Sequence, residues 1–224
     1  MTRDLFDRSA DRYDRLEWWT GLGQGPSYRR EALQRGGLKA GMSVLDVATG
    51  TGLVAREALK LIGPQGRLVG LDPSSAMLAE ARRALAIETV EGRAEAIPLP
   101  GGQFDFVSMG YALRHVGDLG ATFREYLRVL KPGGTVCILE IARPQSRLLG
   151  ELLKFHLRYL VPALSRLLLR RRDPAVLWEY YWDTIEACVP PATIERALAI
   201  AGFSEVRSQL TLGIFREYYA RKPA

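Results

Sequence analysis

The sequence predicts a doubly wound α/β domain whose central sheet is mostly parallel. Three observations support this fold class. Short apolar runs typical of buried strands alternate with segments of helical spacing, a glycine-rich turn follows the first of these strands, and 224 residues suit one such domain. Strands that alternate with helices are joined by right-handed crossovers, and the strands that they join are parallel.

The predicted elements follow one another closely along the chain. Strands are predicted at 44–47, 67–71, 87–91, 104–109, 135–140, 206–210 and 215–220, and helices at 53–62, 74–85, 121–130 and 193–201. Ser74 or Ser75 is the expected N-cap of the second helix, and the third helix stops at the turn signal Lys131-Pro132-Gly133-Gly134. The last two strands are expected to form an antiparallel hairpin at the edge of a seven-stranded sheet.

The composition is globular, with 47% apolar and 25% charged residues. The first residues contain no apolar segment typical of a signal peptide, and no apolar run reaches the length of a membrane span. The two cysteines, Cys137 and Cys188, make neither a disulfide framework nor a zinc-ligand pattern. We therefore expect a cytoplasmic protein without a metal site.

The net charge of +6 is confined to one segment. Seven basic residues and one acid, Glu151, lie between Arg147 and Arg172, whereas the rest of the chain holds 24 bases and 24 acids. The same segment is rich in leucine, and a cationic amphipathic segment favours an anionic lipid surface over nucleic acid. Two interpretations remain open and are compatible: a lid helix that covers the active site, or a peripheral contact with the inner face of the membrane.

The glycine-rich turn, residues 46–52, points to a nucleoside ligand. The turn departs from the dinucleotide-binding fingerprint because Ala48 and Ala55 stand where that pattern has glycine or its equivalent, and because the acid Asp46 precedes the glycines. A second acid, Asp72, ends the next strand, where it can accept hydrogen bonds from ribose hydroxyls. Together these features predict a nucleoside that carries a positive group and no phosphate. The alternative is a plain tight turn with a capping aspartate.

Ordered motifs then resemble those of a known family. Five segments resemble the ordered motifs of the class I methyltransferases: residues 46–52, 70–72, 94–99, 104–105 and 128–134. Further segments resemble, more specifically, the ubiquinone/menaquinone biosynthesis C-methyltransferases. These are Phe6-Asp7-Arg8-x-Ala10-x-x-Tyr13-Asp14, Tyr111-Ala112-Leu113-Arg114, and Leu139-Glu140 with Pro144. The resemblance is strongest over residues 44–140 and looser over 145–190. Two departures are His115, where the family usually has asparagine, and the C-terminal Tyr218–Lys222 stretch.

The resemblance implies a single Rossmann-like methyltransferase domain that uses S-adenosylmethionine. Its expected parts are an N-terminal helical cap (1–40), a cofactor-binding core (41–144), a helical lid insertion (145–190), and a C-terminal helix and hairpin (191–224). The expected cofactor-binding residues are Asp46, Ala48, Thr49, Gly50, Gly52, Asp72, Pro73, Met77, Arg93, Ala94, Glu95 and Gly110. Glu95 is alternatively a solvated charge.

Three residues are candidates for a direct role in catalysis. Arg114 and His115 follow the fourth strand, beside the expected methyl donor, where ligands of doubly wound sheets bind. Arg114 could polarise an acceptor oxygen, and His115, whose ordinary pKa is near neutral, could accept its proton. Alternatively, Arg114 pairs with a structural carboxylate and His115 caps the residues after it. The resemblance implies that Tyr13 closes over the cofactor, although it could simply pack on an amphipathic helix.

The predicted reaction is methylation of a ring carbon of a lipophilic quinol precursor of the ubiquinone or menaquinone type. The alternatives are a phospholipid or small-molecule N- or O-methyltransferase and, from a different class, a catalytically silent nucleoside-binding protein. The expected partners are the lipophilic acceptor and an anionic membrane surface contacted through 147–172, with no nucleic acid. A homodimer is compatible with the sequence.

Overall fold

A computed structural model describes residues 25–141, 146–160 and 189–224, and these residues build a seven-stranded mixed sheet. Its strands are β1 (Ser43–Val47), β2 (Arg67–Asp72), β3 (Glu88–Glu91), β4 (Phe104–Gly110), β5 (Leu130–Ile141), β6 (Ser204–Thr211) and β7 (Phe215–Arg221). They are ordered β3-β2-β1-β4-β5-β7-β6, with β1 to β5 parallel and β7 antiparallel to both of its neighbours. The predicted fold class, including the antiparallel C-terminal edge, is confirmed.

The helices lie close to their predicted positions. They are α1 (Gly25–Arg35), α2 (Leu53–Ile62), α3 (Ser75–Ala84), a 3₁₀ turn (Leu113–His115), α4 (Leu119–Val129), α5 (Arg147–Phe155), which continues as a π-helical turn (His156–Leu160), and α6 (Pro191–Ile200). Of the predicted helical cap and lid, residues 1–24, 142–145 and 161–188 lie outside the described residues. No helix in the described ranges has the length and apolarity needed to cross a bilayer.

Side-chain caps set the starts of two helices. Ser74 caps α3, because its Oγ accepts a hydrogen bond from the Met77 amide at 3.0 Å. Asp118 caps α4 in the same way, accepting from the Ala121 amide at 2.9 Å. The predicted start of this helix at residue 121 was wrong by two residues because the capping role of Asp118 was not recognised.

The fifth strand begins earlier than predicted, at Leu130 rather than at Thr135. Its pairing with β4 shifts from Phe104–Leu130 to Phe106–Thr135, so the four residues between them, the predicted turn, form a bulge within the strand. Hydrogen bonds to Lys222 hold this bulge: the Gly133 amide donates to the Lys222 carbonyl at 3.0 Å, and the Lys222 amide donates to the Gly134 carbonyl at 2.8 Å. The turn signal is therefore real but lies inside a strand.

The core divides into two layers, one on each face of the sheet. Helices α4 and α6 pack on one face through Phe123, Tyr126, Ile194 and Leu198, whereas α1 and α2 pack on the other. Neighbouring residues of one strand serve opposite layers: Val44 of β1 belongs to the layer of α1 and α2, and Leu45 to the layer of α4 and α6. Because β1, β2, β4 and β5 are parallel, their carboxyl ends meet at one edge of the sheet, where a ligand site is expected.

Candidate active site

The glycine-rich turn is braced from below by Asp46. The Asp46 carboxylate accepts hydrogen bonds from the Thr49 hydroxyl and the Ser108 hydroxyl, both at 2.7 Å, and the residue is buried. Burial raises the pKa of Asp46 to about 6, although the hydrogen bonds from Ser108 and Thr49 oppose this shift. Asp46 thus stabilises the conformation of the turn from the end of β1. Ser108, which the sequence analysis did not select, holds the Asp46 carboxylate in place through its hydrogen bond.

Three residues of the turn have a left-handed backbone. Their φ values are +54° at Ala48, +55° at Gly50 and +91° at Gly52. A Cβ added to Gly50 would meet no atom within 4 Å, whereas one added to Gly52 would lie 2.6 Å from the Leu85 side chain. Gly50 therefore faces open space at the carboxyl edge of the sheet, so a ligand can approach its backbone closely.

Asp72 links the end of β2 to this turn. One carboxylate oxygen accepts a hydrogen bond from the Gly50 amide at 2.9 Å, and the other accepts from the Ser74 amide at 2.8 Å. A carboxylate oxygen can accept more than one hydrogen bond, so these amide contacts are compatible with the predicted contact to a ribose diol. Asp72 consequently has a structural role in addition to the predicted ribose contact.

The other predicted cofactor residues surround the same edge in different environments. Met77 and Ala94 are buried, Pro73 and the Arg93 side chain are exposed, and Gly110 packs so closely on α2 that an added Cβ would lie 2.5 Å from Val54. The Glu95 carboxylate accepts a hydrogen bond from the Gly117 amide at 3.0 Å. Although burial opposes the shift, the hydrogen bonds of Glu95 hold its pKa below the ordinary value. Glu95 is therefore tied to the loop after the 3₁₀ turn and is not simply a solvated charge.

Arg114 forms a buried ion pair with Glu140 at the carboxyl ends of β4 and β5. The side chains of Arg114 and Glu140 are 1% and 2% exposed, and an Arg114 Nη1 group contacts a Glu140 carboxylate oxygen. Glu140 also accepts hydrogen bonds from the Arg114 amide at 3.3 Å and the Ile141 amide at 2.9 Å. Arg114 therefore pairs with a carboxylate, as the alternative in the sequence analysis predicted. Glu140 had been noted as part of a motif but not as a site residue.

His115 lies next to this pair, at the end of the 3₁₀ turn. Burial and the positive charge of Arg114 lower the pKa of His115 to about 4. The pKa of His115 thus lies below the ordinary histidine value, and the imidazole is uncharged at physiological pH. Tyr13, the third candidate, lies outside the described residues.

The site fits a cationic nucleoside such as S-adenosylmethionine. Gly50 gives a ligand access to the backbone of the turn, the Asp72 carboxylate lies beside that turn at the end of β2, and the chain departs from the dinucleotide fingerprint at Ala48 and Ala55. Together with the strand order, these features define the class of an S-adenosylmethionine-dependent methyltransferase.

Comparison with known proteins narrows this class. Residues 1–222 match the profile described as the ubiE/COQ5 methyltransferase family, and the chain belongs to that family. It is 34% identical to 2-phytyl-1,4-naphtoquinone methyltransferase of Thermosynechococcus vestitus, over 93% of each protein. It is 30% identical to demethylmenaquinone methyltransferase of Staphylococcus saprophyticus, over 92% of this chain and 89% of that protein.

The fold is shared with a solved structure of low sequence identity. A crystal structure of an S-adenosylmethionine-dependent methyltransferase from Thermotoga maritima, described as a possible histamine N-methyltransferase, aligns with a TM-score of 0.70 and 20% identity. The alignment covers 99% of this chain and all of that one.

Proposed function

We propose that this protein transfers a methyl group from S-adenosylmethionine to a ring carbon of a lipophilic quinol precursor of the ubiquinone or menaquinone type. Membership of the ubiE/COQ5 family and the names of the two relatives support this acceptor class. The structural observation that carries the proposal is the buried Arg114–Glu140 pair at the carboxyl edge of the sheet, where the glycine-rich turn also lies. Bound S-adenosylmethionine supplies an electrophilic methyl group, and the residues of this chain bind the donor and prepare the acceptor.

In this proposal Arg114 and His115 prepare the acceptor carbon by acting on the neighbouring ring oxygen. A quinol carbon becomes a better nucleophile as the O–H bond of its hydroxyl is polarised, and a nearby cation stabilises the negative charge that develops on the oxygen. Glu140 orients the Arg114 guanidinium through the buried contact between the two side chains. His115 is uncharged, so its imidazole accepts a hydrogen bond from the acceptor hydroxyl but is a weak base. Tyr13 closes over the donor in the same proposal.

The reaction is tested with isotope-labelled methyl donor and reduced prenylated benzoquinol or naphthoquinol. We expect mass spectrometry to locate the labelled methyl group on a ring carbon of the quinol. Label on an oxygen of the quinol, or on a phospholipid amine supplied in parallel, would support the N- or O-methyltransferase alternatives. Binding of the donor without any transfer would support the catalytically silent protein instead.

We further propose that α5 contacts an anionic lipid surface from which the acceptor is taken. Four large side chains are spaced at intervals of four, three and four residues and form the exposed stripe: Leu148 (72% exposed), Leu152 (58%), Phe155 (58%) and Tyr159 (54%). This spacing places them on one face of a helix. Lys154 and Arg158, spaced by four residues, follow a neighbouring face, and the net charge of the whole chain lies in residues 147–172. Apolar burial combined with cationic attraction is typical of peripheral membrane helices.

The lipid contact is tested by replacing Leu148, Leu152 and Phe155 together with serine. Burial of one such side chain contributes about 1.5–3 kcal/mol, so binding to anionic vesicles should fall at least about tenfold. Vesicle sedimentation measures this binding, which in the wild-type protein should weaken as salt rises because the lipid attraction is partly electrostatic. A matched control replaces two exposed apolar residues elsewhere, Ile200 and Leu212, with serine and should leave binding unchanged.

Enzyme turnover separates the lipid contact from the lid interpretation. The triple variant should slow turnover of a long-tailed acceptor presented in vesicles but leave turnover of a short-tailed, water-soluble analogue nearly unchanged. Equal loss of both activities would show that the exposed stripe belongs to a lid, and the membrane proposal would be abandoned.

A further inference from the structure

Tyr111 has an unusual backbone conformation at the edge of the candidate active site. It directly follows β4 with a φ of +58°, in the left-handed region that non-glycine residues rarely adopt. An L-residue is strained in this conformation because its Cβ comes too close to a neighbouring carbonyl oxygen. The Tyr111 amide donates a hydrogen bond to the Leu139 carbonyl at 2.7 Å, which fixes the chain as it leaves the strand. Strain that persists in this way is concentrated at functional sites.

The ring of Tyr111 is held by side chains from two distant parts of the sequence. The guanidinium carbon of Arg29, a buried residue of α1, lies 5.6 Å from the ring centroid, in the range of a cation–π contact. Phe215 of β7 lies edge-on, with centroids 6.4 Å apart and an interplanar angle of 61°. Phe215 is itself stacked on Tyr28 at 4.4 Å. These contacts orient the ring, although Tyr111 remains partly exposed.

Tyr111 directly follows β4 at the carboxyl edge of the sheet, the edge at which the glycine-rich turn and the Arg114–Glu140 pair also lie. A Cβ added to Gly110, the residue before Tyr111, would lie 2.5 Å from Val54 in the first turn of α2, which begins directly after the glycine-rich turn. Arg114 lies three residues after Tyr111, and the Tyr111 ring packs against the core layer of α1 and α2. Aromatic rings pack favourably against other flat rings in stacked or edge-on arrangements.

We propose that Tyr111 is an acceptor-binding residue on whose ring the flat aromatic ring of the quinol packs, with Arg29 and Phe215 holding that platform in place. The inference rests on the proposed function, since it concerns the same acceptor. It explains why a large aromatic residue occupies a position where glycine would be free of strain. It also predicts selectivity for flat aromatic acceptors over flexible amines or headgroups.

Two substitutions at Tyr111 separate the ring from the backbone. Tyr111→Gly relieves the left-handed strain and removes the ring, whereas Tyr111→Phe keeps the ring and removes only the hydroxyl. We expect Tyr111→Gly to raise the KM for the quinol acceptor at least tenfold and to leave the affinity for S-adenosylhomocysteine within about twofold. Tyr111→Phe should stay within about threefold of wild type in both. Tyr111→Asn, whose side chain also tolerates the left-handed region, provides a second ring-free variant if the glycine variant fails to fold.

Direct binding makes the test independent of turnover. Titration of 2-methyl-1,4-naphthoquinone into the protein saturated with S-adenosylhomocysteine, followed by quenching of tryptophan fluorescence, should show the same order of affinities. Wild-type affinity in the ring-free variants, or no binding by the wild-type protein, would overturn the assignment of Tyr111. If naphthoquinone binding depends on the ring but no methyl transfer occurs, the proposed function fails and the assignment of Tyr111 stands.

Discussion

Replacing Asp72 with alanine is expected to weaken the binding of S-adenosylmethionine by at least about 100-fold. The substitution removes the predicted ribose acceptor and also the partner of the Gly50 and Ser74 amides. A hydrogen bond to a charged group contributes about 1.5–3 kcal/mol. The variant loses the ribose contact and also the hydrogen bonds that hold the turn, so the loss of binding free energy should exceed that of a single such bond. Isothermal titration calorimetry with S-adenosylhomocysteine measures the affinity for the cofactor product. Thermal unfolding of the free protein measures how much stability the substitution removes when no ligand is bound.

The matched control for this substitution is Asp105→Ala. Asp105 also accepts a hydrogen bond from a backbone amide, that of Ser43 at 2.8 Å, and it pairs with Lys131 at 2.9 Å. It lies at the opposite end of the parallel strands from the glycine-rich turn. We expect Asp105→Ala to lower thermal stability without changing cofactor affinity. Unchanged affinity in Asp72→Ala would remove Asp72 from the cofactor site.

The second large effect is expected at the Arg114–Glu140 pair. Removing one partner of a buried ion pair leaves the other charge uncompensated and typically costs 3–5 kcal/mol of stability. Glu140→Ala should therefore lower the free energy of unfolding by about 3–5 kcal/mol, as measured by denaturant titration. Because Glu140 also orients the guanidinium, kcat with a water-soluble quinol should fall about 100-fold or more, in the range typical of a lost oxyanion-stabilising donor.

Arg114→Lys distinguishes chemistry from stability at the same position. Lysine keeps the charge but loses the planar fork of donors, so it should retain more stability than Glu140→Ala while losing most of the turnover. Glu57→Ala is the matched structural control, because Glu57 is also buried and pairs with Arg30 at 2.8 Å and Lys60 at 2.6 Å, away from the carboxyl edge. This variant should lose stability and keep kcat per folded molecule. Proportional loss of stability and turnover in all three variants would assign the Arg114–Glu140 pair a purely structural role.

Local patterns were sufficient to predict the strands of the sheet and the acids at its carboxyl edge. Apolar runs, helical spacing and turn residues are properties of neighbouring positions, so the seven strands and the acids at the ends of β1 and β2 could be placed from the sequence. The element limits at Leu119 and Leu130 were missed where a cap and a bulge depended on tertiary contacts. The cofactor and the acceptor class were predicted from the family resemblance, because the spacing of apolar residues carries no information about ligands.

Partnerships across the sheet could not be predicted in the same way. Ser108 meets Asp46 because the register of β1 and β4 sets these residues side by side, and Glu140 meets Arg114 across the ends of two strands. The low pKa of His115 likewise depends on burial and on the charge of Arg114, which are tertiary properties. The strain at Tyr111 is also invisible in the sequence, because a tyrosine after a strand is normally compatible with an extended backbone.

The insertion of β7 between β5 and β6 has a consequence for synthesis of the protein on the ribosome. Residues 215–221 are made after every other strand, so the central strand β5 presents an unpaired edge until they emerge. Strand β7 contains Glu217, which pairs with Arg35 of α1 at 2.8 Å. It also contains Tyr219, whose hydroxyl donates to the Ala32 carbonyl of α1 at 2.9 Å. Helix α1 therefore gains these two contacts only after β7 has been synthesised, so its packing against the sheet is completed late in translation.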